Sequence, residues 1–287
     1  MRKILILLLL SPLVLFSQDY KNVKGLQYMG QITAPEGLDL CSGQIDKNGD
    51  CFLLPFSDTS GIGFLYRYLV NAKGKTKLEG INNIGHIQGR DFGGQVSLSE
   101  DNQIMVFSSS SENLWFNNEL CIASFDVRSN KYKNLRLLGE LNDNAEADAY
   151  PWLSLDGLRI YFTQESEIYY SSRDDITHTF KYPEKLDFAF PDSTIDITSC
   201  WLSNDELSIY LTIEQKVYKS VRTVRNEPFG TPVLMYSGFG DFISAFCISE
   251  KRKLAFVYLN GDLEEDGCLE TDYGCLTEAI LIYKIKK

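Results

Sequence analysis

Five stretches of the chain repeat one order of apolar and polar positions. They read QIDKNGDCFLL from Gln44, SLSEDNQIMVF from Ser97, WLSLDGLRIYF from Trp152, WLSNDELSIYL from Trp201 and CISEKRKLAFV from Cys247. In each, an aliphatic residue (Ile45, Leu98, Leu153, Leu202, Ile248) precedes a polar anchor (Asp46, Ser99, Ser154, Ser203, Ser249). Six and eight residues past the anchor, both positions are apolar again: Phe52 and Leu54, Met105 and Phe107, Ile160 and Phe162, Ile209 and Leu211, Ala255 and Val257. A spacing of two puts both side chains on one face of a strand. The polar stretch between, such as Asp46-Lys47-Asn48-Gly49 or Leu155-Asp156-Gly157, is turn chemistry. Each unit therefore predicts a β-hairpin.

The anchors are 53, 55, 49 and 46 residues apart. A third strand is predicted in each unit, at 64–69, 120–125, 167–172, 216–221 and 279–285. A fourth is predicted at 75–84, 131–139, 185–190 and 232–237. Four antiparallel strands recurring at this period describe a propeller blade. The fifth unit lacks a fourth strand, because the sequence given stops at Lys287. The stretch from Gly25 to Ile32 offers a spare one, and it is expected to complete the last blade and close the ring, protecting an edge that would otherwise aggregate. The fold expected is all-β: a single five-bladed propeller over 18–287, with units near 39–90, 91–147, 148–195, 196–240 and 241–287. No amphipathic helix of useful length is predicted.

Tyr150-Pro151-Trp152-Leu153-Ser154-Leu155-Asp156-Gly157-Leu158-Arg159-Ile160-Tyr161-Phe162-Thr163, followed by Ile168-Tyr169-Tyr170-Ser171-Ser172-Arg173, resembles the WD40-like repeat of TolB-type propellers. The fourth unit is similar, with Ser203-Asn204-Asp205-Glu206 and Val217-Tyr218-Lys219-Ser220. The second unit matches in part, and the first and fifth mainly in apolar spacing. True WD40 signatures, the Gly-His and Trp-Asp pairs, are absent. The resemblance implies a binding and assembly scaffold of the cell envelope, an inference from fold alone.

The start of the chain reads differently. Arg2 and Lys3 precede an apolar run, Ile4–Leu10 and Leu13–Phe16, and Ser17-Gln18 ends it. That is the layout of a secretory signal peptide over 1–17, cleaved after Ser17. The run is short for a membrane span, so an exported, periplasmic or secreted protein is expected. Losing Arg2 and Lys3 moves the formal charge from −11 to −13. Nucleic acid is then a poor partner; cations, basic proteins and neutral sugars fit better. A monomer is expected.

Seven cysteines in an exported chain leave at least one unpaired. Cys268 and Cys275 share a short polar loop and are the expected disulfide. Cys41 and Cys51 lie on consecutive predicted strands and could also meet. Cys121, Cys200 and Cys247 are expected as buried thiols.

Three features are candidates for function. An aspartate precedes every anchor by six to eight residues: Asp39, Asp91, Asp148, Asp196 and Asp241. At the start of each innermost strand, these could ring one channel mouth and hold a ligand or a Ca²⁺ ion. They could equally be strand-start residues that accept nearby backbone N–H groups. If the propeller is a glycoside hydrolase, Asp39, Asp91 and Asp148 (or Glu146) would be its catalytic carboxylates. Secondly, Asp262, Glu264 and Asp266, followed by Gly267, resemble the opening of a calcium loop, but Tyr273 stands where such a loop closes on Glu. A solvated acidic insertion explains them as well. Thirdly, Trp115 and Phe116, read as part of a polar loop over 108–119, would offer a protein or sugar contact unless they fold back onto their own blade. His86 and His178 are the only histidines, and neither lies beside a nucleophile motif. The expectation is a non-enzymatic binding propeller for a protein or a glycan.

Overall fold

The computed structural model describes residues 19–33, 38–40, 43–46, 51–58, 63–71, 73, 75–85, 90–111, 114–142, 147–190, 195–239, 243–260, 270–271, 274–275 and 278–286. A 3₁₀ turn, Asp19–Asn22, leads into β1 (Leu26–Thr33). Blade one follows, with β2 (Leu38–Leu40), β3 (Gln44–Ile45), β4 (Cys51–Asp58), β5 (Gly63–Val70) and β6 (Thr76–Gly85). Blade two holds β7 (Arg90–Leu98), β8 (Ile104–Ser111), β9 (Leu114–Asp126) and β10 (Lys131–Leu137). Blade three holds β11 (Asp148–Leu153), β12 (Arg159–Gln164), β13 (Glu167–Ser172) and β14 (Glu184–Lys185). Blade four holds β15 (Ile197–Leu202), β16 (Ser208–Ile213), β17 (Lys216–Val221) and β18 (Val233–Tyr236). Blade five holds β19 (Ile243–Ser249), β20 (Leu254–Asn260) and, after a small hairpin of β21 (Glu270–Thr271) and β22 (Gly274–Cys275), β23 (Glu278–Ile285).

The five antiparallel sheets make a five-bladed β-propeller. Inner strands meet in ring order: β3 touches β7, then β7 touches β11, β11 touches β15, β15 touches β19 and β19 touches β3. In the last sheet the order is β1-β23-β20-β19, and β1 runs antiparallel to β23 from Leu26 opposite Ile285 to Thr33 opposite Ala279.

The packing explains why the second strand of each blade is apolar without alternation. Both faces of a blade are buried, one against each neighbour. On β8, Met105 and Phe107 pack with Leu53 and Leu65 of blade one, while Val106 packs with Leu153 and Ile160 of blade three. On β12, Ile160 and Phe162 face blade two, and Tyr161 joins the larger core on the other side. Full burial of each such side chain stabilises the fold by about 1.5–3 kcal/mol.

Three expectations need correction. The fourth strand of blade three is only Glu184–Lys185, not 185–190. The Leu186 N–H still donates to the Ile168 carbonyl at 2.8 Å, and beyond it the chain leaves the ladder: Phe188 stacks on Phe229 and Phe190 meets Tyr218 edge-on. Trp115 and Phe116 lie in strand β9 rather than in a loop, at the irregularity where its pairing with β8 passes from Asn118 opposite Ser110 to Leu114 opposite Ser111. Cys51 is a free buried thiol, so no bond to Cys41 exists. Its Sγ donates to Glu79 Oε2 at 2.9 Å. Burial, then the Glu79 hydrogen bond, pushes this thiol up to about 11. Cys121, Cys200 and Cys247 are likewise free and buried.

Candidate functional site

The anchors hold the turn between the first two strands of each blade. In blade three, the Ser154 hydroxyl donates to Asp156 Oδ1 at 2.6 Å and accepts the Arg159 N–H at 2.9 Å. Asp156 Oδ1 also accepts the Leu158 N–H at 3.1 Å. Blade two repeats this with Ser99, Asp101, Gln103 and Ile104, and blade four with Ser203, Asp205, Leu207 and Ser208. In blade one, Asp46 replaces the serine and its carboxylate accepts the Cys51 N–H at 3.1 Å. The residue three past the anchor has positive φ: Asn102 at 58°, Gly157 at 72° and Glu206 at 62°. Glycine, and after it asparagine, adopts that conformation most readily; what the Glu206 side chain does sets it apart from the other two.

What it does is join two blades. Glu206 is 1% exposed. Its carboxylate accepts Arg159 Nε at 3.0 Å, Arg159 Nη2 at 2.8 Å and the Tyr161 hydroxyl at 3.0 Å, all from blade three. Arg159 Nη2 also reaches Asp156 Oδ2 at 2.9 Å. Burial draws the Arg159 guanidinium down, but the Glu206 and Asp156 carboxylates outweigh it and hold it charged. Arg222 donates to the Glu206 carbonyl at 2.8 Å and to the Tyr161 hydroxyl at 2.9 Å, and its guanidinium lies 4.3 Å from the Phe229 ring centroid. Arg173 makes the equivalent bond to the Gly157 carbonyl at 2.9 Å and lies 4.6 Å from the Phe180 centroid.

The joint between blades four and five uses the same tyrosine position. Tyr210 donates to Glu250 Oε1 at 2.7 Å. Here, however, the turns stand apart. They leave a cavity of about 320 Å³ lined by Asp46 of blade one, Trp201, Asn204, Asp205 and Tyr210 of blade four, and Glu250 and Lys251 of blade five. Between blades two and three no such room remains on this side, because the Glu100 N–H donates to the Leu155 carbonyl at 2.9 Å.

Asp39, Asp91, Asp148 and Asp196, the described aspartates among those preceding the anchors, lie at the opposite end of the inner strands. Asp39 pairs with Ser57, Asp91 with Ser110 and Asp148 with Gln164 in their ladders. Asp148 is fully buried, whereas Asp196 is exposed. Asp241, Glu146 and the side chains of Asp39 and Asp91 lie outside the described residues, as do Asp262, Glu264, Asp266 and Cys268 and the side chains of Trp115, Phe116 and Cys275. Among the described residues, no three His, Cys, Asp or Glu form a metal-holding group. Every inner strand is irregular at this end. The register shifts between Phe92 and Val96, Ala149 and Trp152, Ile197 and Ser199, and Ile243 and Ala245. In blade one the inner strand stops at Leu40 and resumes at Gln44. Such bulges bend a strand and re-aim its side chains.

No protein-family model matches the chain, and no curated protein matches its sequence. Solved structures do match in shape. A luciferin-regenerating enzyme superposes with a TM-score of 0.53 at 8% identity, over 90% of this chain and 96% of that one. The β-propeller domain of Cps50 (Swd1) from Myceliophteria thermophila matches at 0.45 and 11% identity, over 83% and 70% of the two chains. A functionally unknown protein from Desulfotomaculum acetoxidans matches at 0.42 and 11%, over 81% and 72%. At such identities the likeness concerns the fold alone. The sequence reading missed the Glu206 joint and the cavity. The signal for both was Arg159 aligned with Ser208 in otherwise similar units.

Proposed function

We propose that the chain is an exported, non-enzymatic binding propeller of the TolB-like kind, which takes a protein or a glycan in the cell envelope or outside the cell. The observation that carries this reading is the cavity of about 320 Å³ where the turns of blades four, five and one stand apart. It combines the Trp201 and Tyr210 rings with carboxylates, and a concave site with aromatic walls and a few polar groups is the usual form of a recognition site. The basic start and apolar run before Ser17 support export. Among the described residues, no helix is long and apolar enough to cross a membrane.

Two measurements test the reading. N-terminal sequencing of the protein recovered from its native cells should begin at Gln18. The mature chain should bind members of a glycan or peptide array, and Asn204→Trp, which fills the cavity from an exposed turn position, should abolish that binding. Array binding that Asn204→Trp leaves intact would remove the cavity from the proposal. Turnover of an aryl glycoside, lost in Asp148→Asn, would replace the reading with hydrolysis.

A further inference from the structure

The joints between blades three and four and between blades four and five bring together the same residue types, though not all from equivalent positions. In the first, Asp156 of the anchor turn and Glu206 of the next blade both bond the Arg159 guanidinium, and Tyr161 bonds Glu206. In the second, Asp205 takes the place of Asp156 and Tyr210 that of Tyr161, while the tyrosine's carboxylate partner is Glu250, one past its anchor, and not the residue three past it, which is Arg252. The residue five past the anchor, arginine in blade three, is Ser208 in blade four. A tyrosine and two acids are present here as well, the arginine of the first joint has Ser208 as its counterpart, and the cavity lies where Asp205, Tyr210 and Glu250 come together.

We infer that this cavity takes the guanidinium of an arginine side chain presented by a partner protein, filling the place that Arg159 fills at the neighbouring joint. The inference rests on the binding reading above and names its partner. A planar guanidinium can bond two carboxylates at once, as Arg159 does with its own pair. The chain also shows that Tyr210 and Glu250 receive a cation. Lys219 Nζ lies 5.0 Å from the Tyr210 ring centroid and 3.4 Å from Glu250 Oε1. The volume suits one long side chain better than several sugar rings, and Trp201 offers a wall for its stem. The negative charge of the whole chain favours encounter with a basic partner.

The test uses the mature chain and a short acetylated and amidated peptide centred on arginine, with the same peptide carrying neutral citrulline as control. Calorimetry should show the arginine peptide binding and the citrulline peptide not. Asp205→Asn with Glu250→Gln should weaken binding about tenfold or more, as loss of a charge-assisted pair does, and added salt should weaken it further. Ser208→Arg should supply the guanidinium from within the chain, abolish peptide binding and raise the melting temperature. Equal binding of the citrulline peptide, or binding unchanged in both variants, would overturn the inference. If a neutral oligosaccharide binds and Ser208→Arg blocks it, the guanidinium is overturned while the binding site stands. If neither probe binds and Ser208→Arg does not raise the melting temperature, both readings fall.

Discussion

Two joints of this ring start from the same parts and end differently. Between blades three and four, the tyrosine, aspartate and glutamate close around Arg159, and Tyr161 and Glu206 are buried. Between blades four and five, the same three residue types surround a cavity, and Glu250 keeps 64% of its side-chain exposure against 1% for Glu206. The repeated turn is a cassette: its hydroxyl–carboxylate bonds hold the hairpin in either case, while the residue at the start of the next strand, Arg159 or Ser208, and the place of the glutamate, three or one past its anchor, differ between the sealed joint and the open one.

The ring as a whole must hold for either joint to matter, so the largest effect is expected at the chain ends. Removing residues 1–33 takes away β1, with buried Val23 and Leu26, and leaves β23 as an open apolar edge. Such a chain should lose its cooperative thermal transition and aggregate. An unchanged melting curve would show that β1 is dispensable and that the joints alone hold the ring.

Next in size is Glu206→Ala. It leaves Arg159, with only 15% of its side chain exposed, beside Asp156 alone, and should cost about 3–5 kcal/mol. Glu250→Ala, at the open joint, should cost about 1 kcal/mol or less. Arg159→Met combined with Glu206→Leu should cost less than Glu206→Ala, because no buried charge is stranded. Urea unfolding of these variants gives the comparison directly; equal losses at Glu206 and Glu250 would dissolve the distinction between the joints.

How much of this could be read from sequence follows from the same contrast. The anchors were legible because a hairpin turn bonded by a serine and an aspartate fixes their spacing, and because strands buried on both faces repeat apolar residues. Strands 167–172 and 216–221 lie where the pattern puts them. Blade three's outer strand was not legible. Leu186, Phe188 and Phe190 alternate as a strand would, but the rings of Phe188 and Phe190 pack against blade four instead of extending the ladder. Trp115 and Phe116 sit among polar residues that resemble a loop, yet the serines before them continue β8. Glu206 looked like one more polar turn residue. Its role depends on Arg159, 47 residues away, so only a comparison of aligned units, with Arg159 set against Ser208, could have pointed to it.

A smaller effect lies in the turns' response to acid. Burial raises the Asp156 carboxyl, but the bonds from Ser154, the Leu158 N–H and Arg159 outweigh it, and the net shift is downward. Asp205 is also lowered: burial opposes, and Ser203 and the Leu207 N–H prevail. A carboxyl held below its unfolded value, about 3.9 for aspartate, stabilises the fold above that pH and stops doing so as pH falls through the folded value. Stability of the native chain should therefore decline below about pH 4. Asp156→Asn should flatten that decline more than Asp205→Asn, because Asp156 also loses Arg159. Both effects should stay under about 1 kcal/mol, since the Asp156 side chain is 46% exposed and solvent screens the pair. Urea midpoints measured from pH 6 to pH 3 decide it. If Asp156→Asn follows the native chain through that window, the bonds of the anchor turn set the hairpin's geometry without contributing its acid sensitivity, and the acid response must come from carboxylates elsewhere in the ring.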